Sequence, residues 1–335
     1  MTSAAFGIFA LAVALIFAGL TVRYTTDSVI QKDAAQNMRG AYNLVHGGVI
    51  SLEKQPSSAP RPQMRREPLP ILALAGLLML HPAFDQAYTI DDLVDGYLTE
   101  TVKHINVFWR FIAAIFLFLL CFELFADRRV AALNGVVVLA ASEFLFFSRS
   151  GIVDRIYTEL PEAALMLLAA WSAVRFVRVK TKLRAAALGV SLGLLALCKA
   201  AFLFIGLGFL VLLLLSERPS QFQPSPRRSA WTEMLLTYSV IAFALFATVG
   251  PWIARNAILF GTPKIASGTD ASVLSIRMLL TEHSLLGQLY IYSPLSVRKR
   301  LVGPLTGYSE AELGHALLDV GQPHGSLGLK LGFST

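Results

Sequence analysis

Three acidic and four basic residues are placed in this sequence where carboxylate chemistry on a phosphorylated substrate would need them. Asp27 and Asp33 lie in a polar stretch, residues 23–70, between two strongly apolar segments, and Arg65 and Arg66 close that stretch ahead of Glu67-Pro68-Leu69-Pro70. Glu159 heads a later apolar run, followed by Pro161 and Glu162. Lys199 alone interrupts the apolar residues 185–215, and Arg255 follows Gly250-Pro251-Trp252. A carboxylate within hydrogen-bond reach can take a proton from a hydroxyl. Arginine and lysine hold phosphate oxygens, arginine through two parallel bonds.

Each of these residues also has an ordinary reading. An aspartate in a loop is most simply a solvated carboxylate. Glu159 and Glu162 at a helix start would complement the helix dipole, and Asp154 in the preceding loop is a looser candidate. A lysine between apolar runs costs about 2.5–3.5 kcal/mol at mid-bilayer, and at a turn it can snorkel to the interface instead. The six histidines show no metal-ligand spacing, and neither HExxH nor a Cys/His cluster is present. Two carboxylates would be enough to hold a divalent cation, but their spacing gives no evidence for one, and no cofactor is expected. No Gly-rich phosphate loop follows a strand, which argues against a soluble nucleotide-sugar site.

The elements that must position these residues are apolar helices. The chain of 335 residues is 55% hydrophobic and only 15% charged, against about 25% charged in a soluble domain. Its net charge of +7 is accounted for by basic cytoplasmic loops, so no nucleic-acid partner is implied. Cys121 and Cys198 both sit in apolar runs, which predicts no disulfide.

Apolar blocks predict spans over residues 4–22, 105–125, 130–147, 159–173 and 234–250, with residues 185–215 folded as two helices that turn at Lys199. The two most basic loops, around Arg175–Arg184 and Arg218–Arg228, flank that pair and belong on the cytoplasmic side. The fold class is therefore an all-α polytopic membrane protein with about seven transmembrane helices. Residues 71–84, too short for a hydrocarbon core of about 30 Å, predict an interfacial helix. Residues 85–104 predict an amphipathic helix on the membrane surface, with Thr89 and Asp92 as its cap pair. This parity puts residues 23–104, the 148–159 loop, Lys199 and everything after Pro251 on one non-cytoplasmic face. Residues 1–260 form the membrane module, and residues 261–335 an external C-terminal region.

The order of these pieces resembles the GT-C membrane glycosyltransferases, the superfamily of the dolichyl-phosphate-mannose–protein mannosyltransferases and the bacterial lipid A aminoarabinose transferase. The resemblance is carried by Asp33, by Ala41-Tyr42-Asn43-Leu44 through Gly47-Gly48-Val49-Ile50-Ser51, and by Arg66-Glu67-Pro68-Leu69-Pro70. Thr158-Glu159-Leu160-Pro161, Leu197-Cys198-Lys199-Ala200-Ala201 and Gly250-Pro251-Trp252-Ile253-Ala254-Arg255-Asn256 complete it.

The resemblance implies juxtamembrane helices in the first external loop, a polyprenyl-phosphate sugar as donor, and transfer on the periplasmic face of a bacterial inner membrane. The acceptor would be a hydroxyl of a glycan, a lipid or a protein. It implies Asp33 as general base, Lys199, Arg66 and Arg255 as donor-phosphate cations, and Glu159 as a second acid. Relatives usually place an aromatic residue close to the acid, whereas Asp33 is followed by Ala34-Ala35-Gln36-Asn37, so Asp27 stays open as the base. A secondary transporter or lipid flippase is the alternative from a different class, although no internal repeat is visible.

Overall fold

The computed structural model of the protein describes residues 1–54, 60–142, 156, 158–216 and 229–267. Among them every regular element is a helix. The first compact unit of the chain runs Met1–Ala266 and holds all of these helices. Asp154, the 217–228 loop and the C-terminal region from residue 268 onward lie outside the described residues.

Among the described residues four helices are long and apolar enough to cross a membrane, which makes this a membrane protein. Helix α1, Ser3–Tyr24, is capped by Thr2, whose Oγ1 accepts from the Ala5 N–H, and buries Phe6, Ala10, Ala14 and Phe17 along one stripe. Its 22 residues rise about 33 Å, enough for the hydrocarbon core. Helix α6, Ile105–Leu124, continues a candidate span that begins at Thr99. Helices α8, Glu159–Arg178, and α11, Ala230–Phe260, are the other two. Between α8 and α11 lie α9, Lys182–Cys198, and α10, Ala201–Ser216, which turn at Lys199 as the sequence predicts. At 17 and 16 residues they rise only about 24–26 Å. Helix α7 is described over Arg128–Ser142.

Small residues set the tightest packing. A Cβ at Gly189 would lie 2.3 Å from the Ile241 carbonyl oxygen, and one at Gly193 2.6 Å from Thr248 Cβ. These two glycines, one turn apart on α9, let its backbone lie directly against α11. Gly135 of α7 receives the Phe118 ring of α6 in the same way, with a Cβ position 2.4 Å from the ring.

The polar stretch after α1 is not a loop. Residues Lys32–Gly47 form helix α2, because Ala34, Ala35, Met38, Ala41 and Tyr42 recur at helical spacing and are all buried. It ends at Gly48, whose φ of 67° supplies the left-handed turn. Helix α3, Pro68–Leu80, starts on a proline at its first position and packs on α2 where Gly40 meets Ile71. A short 3₁₀ turn, Pro82–Phe84, follows.

The single amphipathic helix expected over residues 85–104 is instead two pieces, α4 Ile90–Asp95 and α5 Thr99–Lys103. Gly96 adopts an extended conformation between them and its N–H bonds the Thr99 hydroxyl. Nor is its polar side uniformly solvated. Lys103 is fully buried, its Nζ donating to the Thr26 and Ser28 carbonyls at 2.7 and 2.8 Å and to the Ser28 hydroxyl at 2.9 Å. Helices α2–α5 share one hydrophobic core with Ile105 and Trp109 of α6 and Leu160 and Ala164 of α8.

Helix α11 also departs from expectation by running through Pro251 rather than ending at Gly250. Contacts beyond the proline hold the extra turns. Trp252 Nε1 donates to the Ile265 carbonyl at 2.7 Å, and Asn256 Nδ2 to that of Lys264 at 2.7 Å.

Charges separate to the two ends of the helices. At one end Glu123 of α6 pairs with Arg178 at 2.9 Å and Arg175 at 3.6 Å, Lys182 pairs with Glu233 at 3.2 Å, and Arg128 reaches the Met1 carbonyl. The opposite end carries α2–α5, the start of α8 and the α9–α10 turn.

Candidate functional site

Asp33 occupies the first turn of α2, and Arg66 lies just before the prolines that start α3. Because α3 packs along α2, the two side chains meet, with Arg66 Nη1 3.0 Å from Asp33 Oδ2. The arginine is 11% exposed and the aspartate 58%, so the pair is anchored from the cationic side. Arg66 Nε also donates to Asn37 Oδ1 at 3.3 Å. Asn37 stands four residues after Asp33, on the same face of α2, and is fully buried. A single guanidinium is thus held by two residues of one helix face.

Gln63 sets the approach of that arginine. Its Oε1 accepts the backbone N–H of Arg65 and, at 3.3 Å, that of Arg66, while its own N–H donates to the Ile50 carbonyl at 2.9 Å. Its carbonyl accepts from Arg255 Nη1 at 3.4 Å. Arg255 therefore braces the segment that carries Arg66. The guanidinium itself lies over the Trp252 ring at 4.4 Å and bonds Asn256 Oδ1 at 2.7 Å.

A cavity of about 180 Å³ opens beside the Asp33–Arg66 pair, lined by Lys32, Asp33, Arg66, Thr158 and Glu159. It is smaller than the roughly 300–1,000 Å³ of a drug-sized ligand site. Lys32 has φ of 53°, the one non-glycine residue with positive φ among those described. Holding an ordinary side chain there costs on the order of 1 kcal/mol, and such outliers gather at functional sites.

Glu162 and Lys199 form a second pair at 2.8 Å. It adjoins the first. The Cys198 thiol, one residue before Lys199, lies 3.9 Å from the Thr158 carbonyl and within electrostatic reach of Glu162, Glu67, Lys199 and Glu159. Asp33, Arg66, Glu159, Lys199 and Arg255 thus gather at one end of the bundle, although Lys199 and Arg255 do not line the cavity. Asp27 is exposed, sits on the turn that Lys103 holds, and does not line it either.

Residues carrying the sequence motifs nearby hold the frame. Asn43 Nδ2 donates to the Ser51 and Glu53 carbonyls at 2.9 and 3.1 Å, closing the chain after α2. Tyr42 stacks on His46 with ring centroids 4.1 Å apart, and Tyr88 packs edge-on against both. Burial pushes the Tyr42 phenol above its ordinary range, with Asp92 adding to the effect, and burial likewise raises Tyr88. The cap pair forms as the sequence predicts. The Thr89 hydroxyl and backbone N–H both donate to Asp92 at 2.7 Å and hold its carboxyl below the usual carboxylate range.

Among the described residues no group of three or more His, Cys, Asp or Glu side chains is placed to hold a metal ion.

Sequence reasoning missed Lys32, Asn37 and Gln63. The spacing Asp33-x-x-x-Asn37 was the available signal, and it became readable only once residues 32–47 were known to be helical.

No protein-family model matches the chain, and neither a curated protein nor a solved structure is detectably similar to it.

Proposed function

We propose that the protein is an inverting glycosyltransferase of seven membrane spans, with α7, α9 and α10 completing the four long ones. It moves a sugar from a polyprenyl-phosphate carrier to an acceptor hydroxyl of a glycan, lipid or protein. The observation that carries this reading is the Asp33–Arg66 pair at the mouth of a cavity shared with Lys32 and Glu159. An acid and fixed cations in one small cavity, at one end of a membrane bundle, match what transfer from a lipid phosphate needs. The segregated charges support the external, periplasmic side for this end. The opposite end holds Arg128, Arg129, Arg175, Arg178, Lys180, Lys182 and Arg184, as a cytoplasmic end should.

In this reading Asp33 takes the proton of the acceptor hydroxyl, and the oxygen attacks the anomeric carbon from the face opposite the phosphate. The bond from that carbon to the phosphate oxygen breaks, and its electron pair leaves with the polyprenyl phosphate. Arg66 serves both partners. As Asp33 is neutralised by the proton, Arg66 loses its counter-charge at the step in which the phosphate gains one. Glu159 orients a sugar hydroxyl from the far wall. An apolar groove of about 240 Å³ between α8, α9 and α10, lined by residues such as Met166, Leu192, Leu195 and Phe209, supports a lipid-borne substrate. Lys199 stands at the turn joining two of these helices.

A secondary transporter or lipid flippase is the second reading, and Arg110 favours it. This arginine lies inside α6, is 1% exposed and stacks over the Phe17 ring at 4.0 Å. In the candidate span that begins at Thr99 it stands eleven residues in, about 16 Å and near mid-bilayer, so its depth fits this reading, and what weighs against it is the rest of the bundle. The central turns of α1, α8 and α11 hold no ionisable side chain.

The test is the purified chain in liposomes, offered a panel of polyprenyl-phosphate sugars with mixed acceptors. Release of free polyprenyl phosphate is expected from at least one donor. Movement of a donor or solute across the bilayer without any such release would replace the transferase reading with the transporter one.

A further inference from the structure

We propose that Lys32 is the residue that takes up an anionic phosphate in the cavity, with Arg66 acting chiefly to hold Asp33. The inference rests on the lipid-phosphate reading above and changes which cation meets the ligand.

Lys32 and Arg66 are the cations that line the cavity, and Arg66, like the two other candidate cations Lys199 and Arg255, already has partners. Arg66 is spent on Asp33 at 3.0 Å and Asn37 at 3.3 Å, Lys199 on Glu162 at 2.8 Å, and Arg255 on Gln63, Asn256 and the Trp252 ring. Lys32 is exposed, lines the cavity, and among the described residues its ammonium makes no hydrogen bond or ion pair. Arg66 and Lys199 keep further N–H donors, but part of the charge of each is already matched by a carboxylate, whereas among the described residues the Lys32 ammonium is paired with none.

The backbone supports the same assignment. Consecutive residues on a helix point about 100° apart and do not face one site. The left-handed φ of 53° at Lys32 lies at the first residue of α2, where it allows Lys32 and Asp33 to line the same cavity.

Charge decides what is recognised. With both carboxylates ionised, Lys32 and Arg66 are balanced by Asp33 and Glu159. Once Asp33 carries the acceptor's proton, the cavity loses one negative charge in the step in which the phosphate passes from a diester of one charge to a monoester of up to two. The ligand chemistry is a phosphate, borne either by a lipid or free in solution.

Calorimetric titration of the full chain in lipid nanodiscs separates these sources. Farnesyl phosphate is expected to bind, farnesol is not, and inorganic phosphate is expected to bind more weakly than the lipid. Lys32→Gln and Lys32→Gly should each weaken farnesyl phosphate binding about 10-fold or more, the size of a charge-assisted contact. Lys32→Arg should retain it. Lys32→Gly also relaxes the backbone, so its melting temperature should equal or exceed that of the parent, which separates ligand binding from folding. Binding by Lys32→Gln and Lys32→Gly equal to the parent overturns the assignment. If Arg66→Ala then abolishes binding, the phosphate reading stands with Arg66 as its cation. Equal binding of farnesol and farnesyl phosphate by the parent sinks both. Equal affinity for inorganic and farnesyl phosphate leaves Lys32 as the anion site but makes the ligand a free phosphate.

Discussion

Replacing Asp33 by asparagine separates chemistry from structure, because the geometry sets very different sizes for the two effects. At 3.0 Å two unit charges attract by about 1.4 kcal/mol in water and about 5.5 kcal/mol at an effective dielectric of 20. The aspartate is 58% exposed, so the lower figure applies and solvent screening brings it to about 0–1 kcal/mol. Asparagine keeps an oxygen for Arg66 Nη1, which reduces the loss further. The expected change in stability is therefore under about 1 kcal/mol, a shift of no more than about 4 °C in thermal unfolding. Loss of a general base costs about 10²–10⁴-fold in rate, or about 2.7–5.4 kcal/mol of barrier. Release of polyprenyl phosphate by Asp33→Asn liposomes should thus fall at least 100-fold while the melting curve scarcely moves. Full activity in this variant would refute Asp33 as the base. So would an activity loss that merely tracks a large drop in stability. Asp27→Asn, on a turn away from the cavity, should retain near-parental rates.

Lys103→Met should destabilise the chain by about 2–4 kcal/mol, since it leaves three oxygens without their charged donor. Trypsin cleavage at Arg23 should quicken, and unchanged cleavage would show that the turn is held by other contacts. Gly189→Leu should cost about 1–3 kcal/mol or more because its Cβ would collide with backbone 2.3 Å away, whereas Gly7→Leu, with nothing within 4 Å, should be close to neutral. Equal melting temperatures for these two variants would contradict the close α9–α11 contact. The cap at Asp92 predicts a pH dependence. Its carboxyl is lowered from 3.8 by the Thr89 hydrogen bonds, so its contribution is complete above that value and vanishes as pH falls through the lower folded-state value. Thr89→Ala should lose this contribution at neutral pH and show a shallower acid dependence; parallel curves for both proteins would remove the cap from the account.

Much of the membrane architecture was readable because hydrophobic runs and basic loops are properties of sequence alone. The turn at Lys199, the helix start at Glu159 and the Thr89–Asp92 cap all follow from local rules. Residues 32–47 were harder. Their charges suggested a loop, while the buried stripe through Ala34, Met38, Ala41 and Tyr42 is built from small or amphipathic residues with a weak apolar signal. Pro251 read as an end because a proline removes a helical hydrogen bond, yet tertiary contacts from Trp252, Arg255 and Asn256 outweigh it. Arg110 and Lys103 could not be read as buried, since only the folded arrangement supplies the Phe17 ring and the Thr26–Ser28 carbonyls. For the site, sequence chose Asp33, Arg66 and Glu159 as candidates. It gave no hint that Lys32 takes a left-handed backbone or that Gln63 and Asn37 steer the arginine.

The buried ammonium of Lys103 has a consequence for the order in which the chain assembles. It fastens a turn made 77 residues earlier, so during synthesis α1 and α2 leave the ribosome long before the side chain that ties them together. The entropy of closing that span grows only slowly with its length, so the wait is one of time more than of free energy. The wall contributed by Thr158 and Glu159 arrives later still. A nascent chain cut short before α8 would carry Asp33 and Arg66, but without Thr158 and Glu159 it would lack the cavity beside them.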